Sequence, residues 1–236
     1  MKKTFLRFSA AAMVASCLFA CQKEMSSNAR NELTSSGSAS ISSYSIASAC
    51  GQLRTQTQGG WGSTPSGNNP GTYLHANFQA AFSGGLTVGC YPYEYFVRLT
   101  SAQAVTDLLP TGGKASTLTG SAVNPASIKN VLVGQLVALK LSVTFDAYDA
   151  NFGESSVALG DMIIGSGTFK GKTVADFLDI ADQVLGGCNS QYTPTQVNET
   201  ASSINENFVD GTTNKGFLTC PEDGGDTGGG GEPLPG

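Results

Sequence analysis

Apolar side chains run out on both sides of a body bounded by Cys50 and Cys220, and that boundary limits what the chain can fold into. Residues 25–48 hold ten Ser in 24 positions and almost no large apolar side chain. Such a stretch cannot bury enough surface to offset its chain entropy, so it reads as a Ser-rich flexible tether. Residues 221–236 contain GGDTGGGGEPLPG, carry Glu222, Asp223, Asp226 and Glu232, and have no basic residue. They read as a low-complexity disordered tail, because the spaced Asp pattern of a calcium loop is missing. The folded body is therefore expected at residues 50–220.

Charged residues are only 13% of the chain, which has a net charge of -5 and 30 Gly. A nucleic-acid binder working through a basic face needs the opposite balance. A charge-dense disordered chain and a long coiled coil are excluded by the same figures. Hydrophobic residues, at 40%, suffice for a core. One His and six Cys leave little material for metal or His-based chemistry, and no cofactor is implied.

The first twenty residues read as an export signal. Lys2, Lys3 and Arg7 form a positive start, and residues 8–20 are apolar or small. Thirteen residues are too few to span a bilayer, which takes about 20 helical residues, but they suit a signal-peptide core. The segment ends in LFAC, Leu18 to Cys21. This resembles the lipobox of bacterial lipoproteins, which implies cleavage before Cys21, acylation of its thiol, and a membrane anchor of several acyl chains. Cleavage would leave residues 21–49 as lipidated Cys plus tether. It would also remove Lys2, Lys3 and Arg7, taking the net charge from -5 to -8. Gln22-Lys23-Glu24 resembles the signal that sends Bacteroidota lipoproteins to the outer face of the outer membrane; a periplasm-facing lipoprotein is the alternative.

Four cysteines remain for the body: Cys50, Cys90, Cys188 and Cys220. An even number in an exported chain predicts two disulfides, with three connectivities open. Cys50 with Cys220 and Cys90 with Cys188 is favoured, since the first would staple the domain ends. A metal site does not fit, because the spacings are wide and no His is near.

Caps and periods place four helices. Thr173 precedes Val174, Phe177, Leu178, Ala181 and Leu185, and Gly186-Gly187 ends that stripe. Thr193-Pro194-Thr195-Gln196 is a capping box with Pro at the first helical position. Thr100-Ser101 opens a short helix stopped by Pro110, and Gly71-Thr72 precedes Leu74, Phe78, Ala81 and Phe82. Residues 127–149 fit both periods over 136–146; Asn124-Pro125 suits a helix start, and length favours helix for the first half. Strands are expected at 53–58, 86–99 and 159–164, where β-branched and aromatic residues gather. The sum is α+β: one disulfide-stapled domain with about four to five helices and a small sheet.

TQTQGGWG at 55–62, TSAQAVTDLLP at 100–110, GQLVALKL at 134–141, TVADFLDIADQVLGG at 173–187 and INENFVDGT at 204–212 occur together. They resemble a module that recurs in secreted and surface proteins of Bacteroidota and other environmental bacteria. That resemblance implies location and no chemistry. The helix from Thr173 is similar to dockerin helices, but the calcium loop that defines dockerins is missing.

Candidate chemistry is sparse. His75 is the sole histidine, and no G-x-S-x-G elbow accompanies it. Asp146, Asp149, Glu154 and Asp161 cluster in sequence, and Glu94 lies among tyrosines, so a carboxylate pair for glycoside hydrolysis is conceivable. Asp176, Asp179 and Asp182 read as a solvated helix face. Trp61, the sole tryptophan, sits in a Gly-rich turn where its ring could stack on a sugar or cap the core. Tyr91, Tyr93 and Tyr95 could form a binding platform. The leading reading is a non-enzymatic, lipid-anchored surface module that binds glycan or a surface protein, or serves structurally. The alternative is a small exported hydrolase built on a carboxylate pair.

Overall fold

The computed structural model describes residues 50–189, 191–212 and 214–221; the signal segment 1–20, Cys21, the rest of 21–49 and the tail from 222 lie outside the described residues. The elements are β1 (Gly51–Gln52), α1 (Gln58–Trp61), α2 (Pro70–Ala81), β2 (Leu86–Gly89), β3 (Phe96–Leu99), α3 (Ala102–Leu108) and β4 (Ala122–Val123). They continue with α4 (Val131–Tyr148), β5 (Glu154–Ser155), a 3-10 turn (Leu159–Asp161), β6 (Ile163–Ile164), α5 (Val174–Gly186), α6 (Pro194–Asn205) and β7 (Leu218–Thr219). The fold is α+β, with six α-helices among the described residues.

The central helix is α4. Asn130 caps it through its side-chain oxygen, which accepts the Leu132 N–H at 3.1 Å. Leu132, Val133, Leu136, Val137, Ala138, Leu139, Leu141 and Phe145 are all fully buried. A helix apolar nearly all round carries no single stripe, which is why residues 136–146 matched both periods. By length and composition α4 could cross a membrane, yet here it is the core around which α6, α5, β2, α1 and α2 pack. Its cap falls six residues after Asn124. That residue instead adopts φ 50° and ties β4 to the end of β3: its oxygen accepts the Thr100 N–H at 2.8 Å.

Other helix ends follow the expected chemistry. Thr173 caps α5 and Gly187 closes it at φ 90°, and both halves of the capping box of α6 form at Thr193 and Gln196. Helix α2 starts earlier than Gly71-Thr72 suggested, because Asn69 is the cap and Pro70 the first helical residue.

Strand content is smaller and more divided than expected. β2 and β3 pair antiparallel with Leu86 opposite Leu99, and β4 joins β3 in parallel. Leu86, Val88, Val97 and Leu99 turn inward. β1–β5 and β6–β7 are separate two-residue pairs. Residues 53–58 do alternate inward at Leu53 and Thr55, but only Thr55 pairs, in one bridge with Val209, and Thr57 already caps α1. Residues 159–164 divide into the 3-10 turn and β6.

The disulfides join Cys50 to Cys220 and Cys90 to Cys188. The first ties the residue before β1 to the residue after β7. The second ties the end of the β2 strand to the end of α5.

Candidate functional site

Trp61 is wholly buried, so its ring presents no face to a ligand. It stacks on Phe152 at 6.0 Å and leans on Phe145 at 5.3 Å. Its indole N–H donates to Ser142 Oγ at 3.3 Å. Of the two readings of this residue, core packing is the one the structure shows. Trp61 is therefore removed from the binding platform.

The three tyrosines behave differently. Tyr91, Tyr93 and Tyr95 are 53%, 89% and 42% exposed, in the turn joining β2 to β3. Large exposed apolar side chains in one short segment are informative where a single one is not. The turn is firmly placed. Cys90 N–H donates to the Tyr95 carbonyl at 3.0 Å, and the Tyr93 and Glu94 N–H groups both donate to the Cys90 carbonyl. Cys90 is bonded to Cys188 just past α5. Gly186 makes that approach possible: a Cβ there would lie 2.3 Å from the Cys90 nitrogen. Gly89, at φ 102°, donates its N–H to Asp182 Oδ1 at 3.0 Å.

Asp182 does not lie on a solvated face with Asp176 and Asp179. Residues three apart fall about 60° short of a full helical turn, so two such steps carry Asp182 roughly 120° round α5. There it faces β2 and forms an ion pair with Lys140 of α4, whose Nζ also donates to the Thr87 carbonyl at 2.6 Å. Burial pushes the Asp182 carboxyl up from its ordinary value, against the pull of the Lys140 ammonium. This group fixes the base of the turn.

Around the turn, Tyr91 meets Phe96 edge to face with centroids 4.9 Å apart, and the Arg98 guanidinium sits 5.8 Å from the Tyr91 centroid. Arg98 is opposite the exposed Val123 in the β3–β4 register, so both share the outer face of the sheet. The result is a protruding surface of Tyr, Phe, Arg and Val.

Two of the candidate acids, Asp146 and Asp149, are engaged in holding the fold. Asp146 Oδ2 accepts the Leu159 N–H at 2.6 Å and so caps the 3-10 turn from the neighbouring helix. Asp149 accepts the Tyr73 hydroxyl at 2.8 Å and the Asn151 N–H at 2.9 Å, and the latter bond is the main cause that lowers its pKa. Glu94, Glu154 and Asp161 are exposed. His75 is exposed on α2 and lies 3.0 Å from Thr106 Oγ1 on α3, a tie between two helices. Among the described residues no three His, Cys, Asp or Glu side chains converge as metal ligands.

Asp146 supplies a pH prediction. Its pKa is raised, chiefly by burial, so the folded state takes up the proton more readily than the unfolded chain. The wild type then loses this contribution as pH rises from the ordinary carboxyl value through the folded one. Asp146→Asn has no such loss and keeps an acceptor for Leu159. Urea unfolding at about pH 3 and about pH 7 is expected to show the variant gaining on the wild type as pH rises. An unchanged or reversed difference would contradict the assignment.

No protein-family model, curated protein or solved structure matches the chain.

Proposed function

We propose that the chain is a lipid-anchored cell-surface binding module, acylated at Cys21 on the outer membrane, whose contact element for a surface or secreted protein is the tyrosine turn. The observation that carries the reading is the exposure of Tyr91, Tyr93 and Tyr95 on a turn cross-linked at its base. Tyr and Arg are the side chains enriched at protein-interface hot spots, and a fixed turn loses little conformational entropy on docking. The perpendicular packing of Tyr91 on Phe96 and the Arg98 cation beside its ring favour a protein partner over a flat sugar-stacking platform.

The test uses the full chain on intact cells. A photo-cross-linking residue at Tyr93 should yield discrete protein adducts, and the same residue at exposed Lys170 should not. Adducts should vanish when Tyr91 and Tyr95 are both Ser. Against the captured partner, Tyr93→Ala is expected to weaken binding roughly 30-fold, as hot-spot truncations do. Its stability should stay within about 0.5 kcal/mol of wild type. Cys21→Ser should release the chain from membranes. A retained membrane fraction with labelled fatty acid would refute the anchor; no protein adduct, with glycan binding that depends on Tyr93, would refute the protein partner.

A further inference from the structure

A second feature lies apart from the tyrosine turn. A cleft of about 430 Å³ opens between the N-terminal half of α2 and residues 54–56, with Phe152 and Asp210 completing its wall. That volume is within the range of small-molecule sites, roughly 300–1,000 Å³. The apolar side of the cleft is Phe152 and Tyr73, with Trp61 behind them.

Its polar groups are unevenly satisfied. The Arg54 guanidinium lies over Phe152, 5.8 Å from the ring centroid. Its Nε is buried without a hydrogen-bond partner, and Arg54 makes no ion pair among the described residues. The Arg54 guanidinium thus stands on the cleft wall with no carboxylate among the described residues paired to its charge. Asp210 stands on the same wall at φ 57°, held there by its N–H to the Thr55 carbonyl at 3.2 Å. Gln56 Nε2 donates to Asp210 Oδ1 at 2.8 Å and so fixes the carboxylate. Asn77 gives its N–H to the Tyr73 carbonyl at 3.0 Å, which leaves its amide oxygen as an acceptor.

We propose that this cleft binds an acidic sugar residue, with its carboxylate on Arg54 and its hydroxyls on Asp210 and Asn77. The planar guanidinium fork matches a carboxylate, and the Phe152 ring lies beneath it at 5.8 Å from the centroid. Asp210 can only accept, and Asn77 keeps an amide oxygen that accepts, so a bound molecule gains by bringing donors, as hydroxyls do. A phosphate or sulfate brings no such donors and would face Asp210. A neutral sugar leaves Arg54 unpaired. The Tyr73 phenol is held protonated, since burial and its bond to Asp149 push its pKa up, so it adds no negative charge to the wall.

The test is titration of the full chain with galacturonate oligomers, glucuronate oligomers and sialyllactose, read by calorimetry and by the fluorescence of Trp61, the sole tryptophan. At least one acidic probe should bind, and neutral oligomers of equal length should bind at least tenfold more weakly. Added salt should weaken the interaction. Arg54→Met should lower affinity roughly 10- to 100-fold, the range for a hydrogen bond to a charged group. Arg54→Lys should recover only part of it. Asn77→Ala offers a loss of affinity that does not depend on Arg54 packing. Tyr93→Ala should change nothing, which separates this site from the protein contact. No binding by any acidic probe, equal binding of neutral oligomers, or an Arg54→Met protein that is folded and binds like wild type would overturn the proposal.

Discussion

Trp61→Ala is expected to cost about 3–5 kcal/mol, the range for removing a fully buried large aromatic side chain. The indole fills space between α2, α4 and the segment carrying Phe152, with three aromatic neighbours at centroid distances of 5.3 to 6.4 Å. Its N–H also serves Ser142, whose hydroxyl donates to the Ala138 carbonyl and accepts the Gln56 N–H at 3.3 Å. Truncation therefore leaves a cavity and disturbs a buried polar group together. Trp61→Phe keeps the ring contacts and loses the donor, so it should cost less. Denaturant unfolding followed by far-UV circular dichroism measures both, because the alanine variant has no tryptophan to report. A loss within about 1 kcal/mol for Trp61→Ala would mean that the ring is not the core element described.

The same reasoning covers the whole TQTQGGWG segment. Thr55 bridges to Val209 and takes the Phe208 N–H at 3.0 Å on its hydroxyl. Thr57 caps α1 by accepting the Gly60 N–H. Gln58 Oε1 accepts the buried Thr111 N–H at 3.0 Å. Gly62 is required because a Cβ would sit 2.4 Å from the Leu109 carbonyl oxygen. This distinctive stretch is thus a bracket that joins the first turn of the body to its last loop and to α4.

Local chemistry was legible in the sequence, and long-range convergence was not. Thr173, Thr193 and Gly187 announced their helix ends because a cap is decided by neighbours within a few positions. The two cysteine pairings were favoured from position alone. Asn124-Pro125 misled, since an Asn that accepts a left-handed backbone before Pro serves a sheet connection as well as a helix start. The acids of α5 misled because a spacing of three drifts round a helix, and only the tertiary structure places Lys140 opposite Asp182. Tyr91, Tyr93 and Tyr95 were visible as a cluster, though Arg98 and Val123 beside them depend on strand register. The cleft left no trace in the sequence. Arg54, Asn77, Phe152 and Asp210 belong to four separate segments and share no spacing.

Removing Cys50–Cys220 by a double Ala substitution is expected to destabilise the protein by about 2–5 kcal/mol. The bond spans 170 residues, and the other bond, spanning 98, lies inside it. With the inner bond intact, the outer one closes an effective loop of about 72 residues. On the logarithmic dependence of loop entropy, the outer bond should therefore contribute about 0.8 kcal/mol more when the inner bond has been removed first. The structure adds a local reason for a large effect. β1–β5 and β6–β7 are two-residue pairs, too short to persist alone. Cys50 and Cys220 join the outer ends of β1 and β7, and the Cys50 carbonyl also receives the Ser156 N–H at 3.3 Å. Loss of the bond should free both chain ends of the body together, while α4, α5 and α6 keep their mutual packing. Hydrogen exchange should then show fast amides at 51–52, 154–155, 163–164 and 218–219 and continued protection in α4. Denaturant unfolding of the outer, inner and combined variants gives the coupling. A loss below about 1 kcal/mol, or fast exchange that spreads equally into α4, would show that the staple does not hold the ends in the way its position implies.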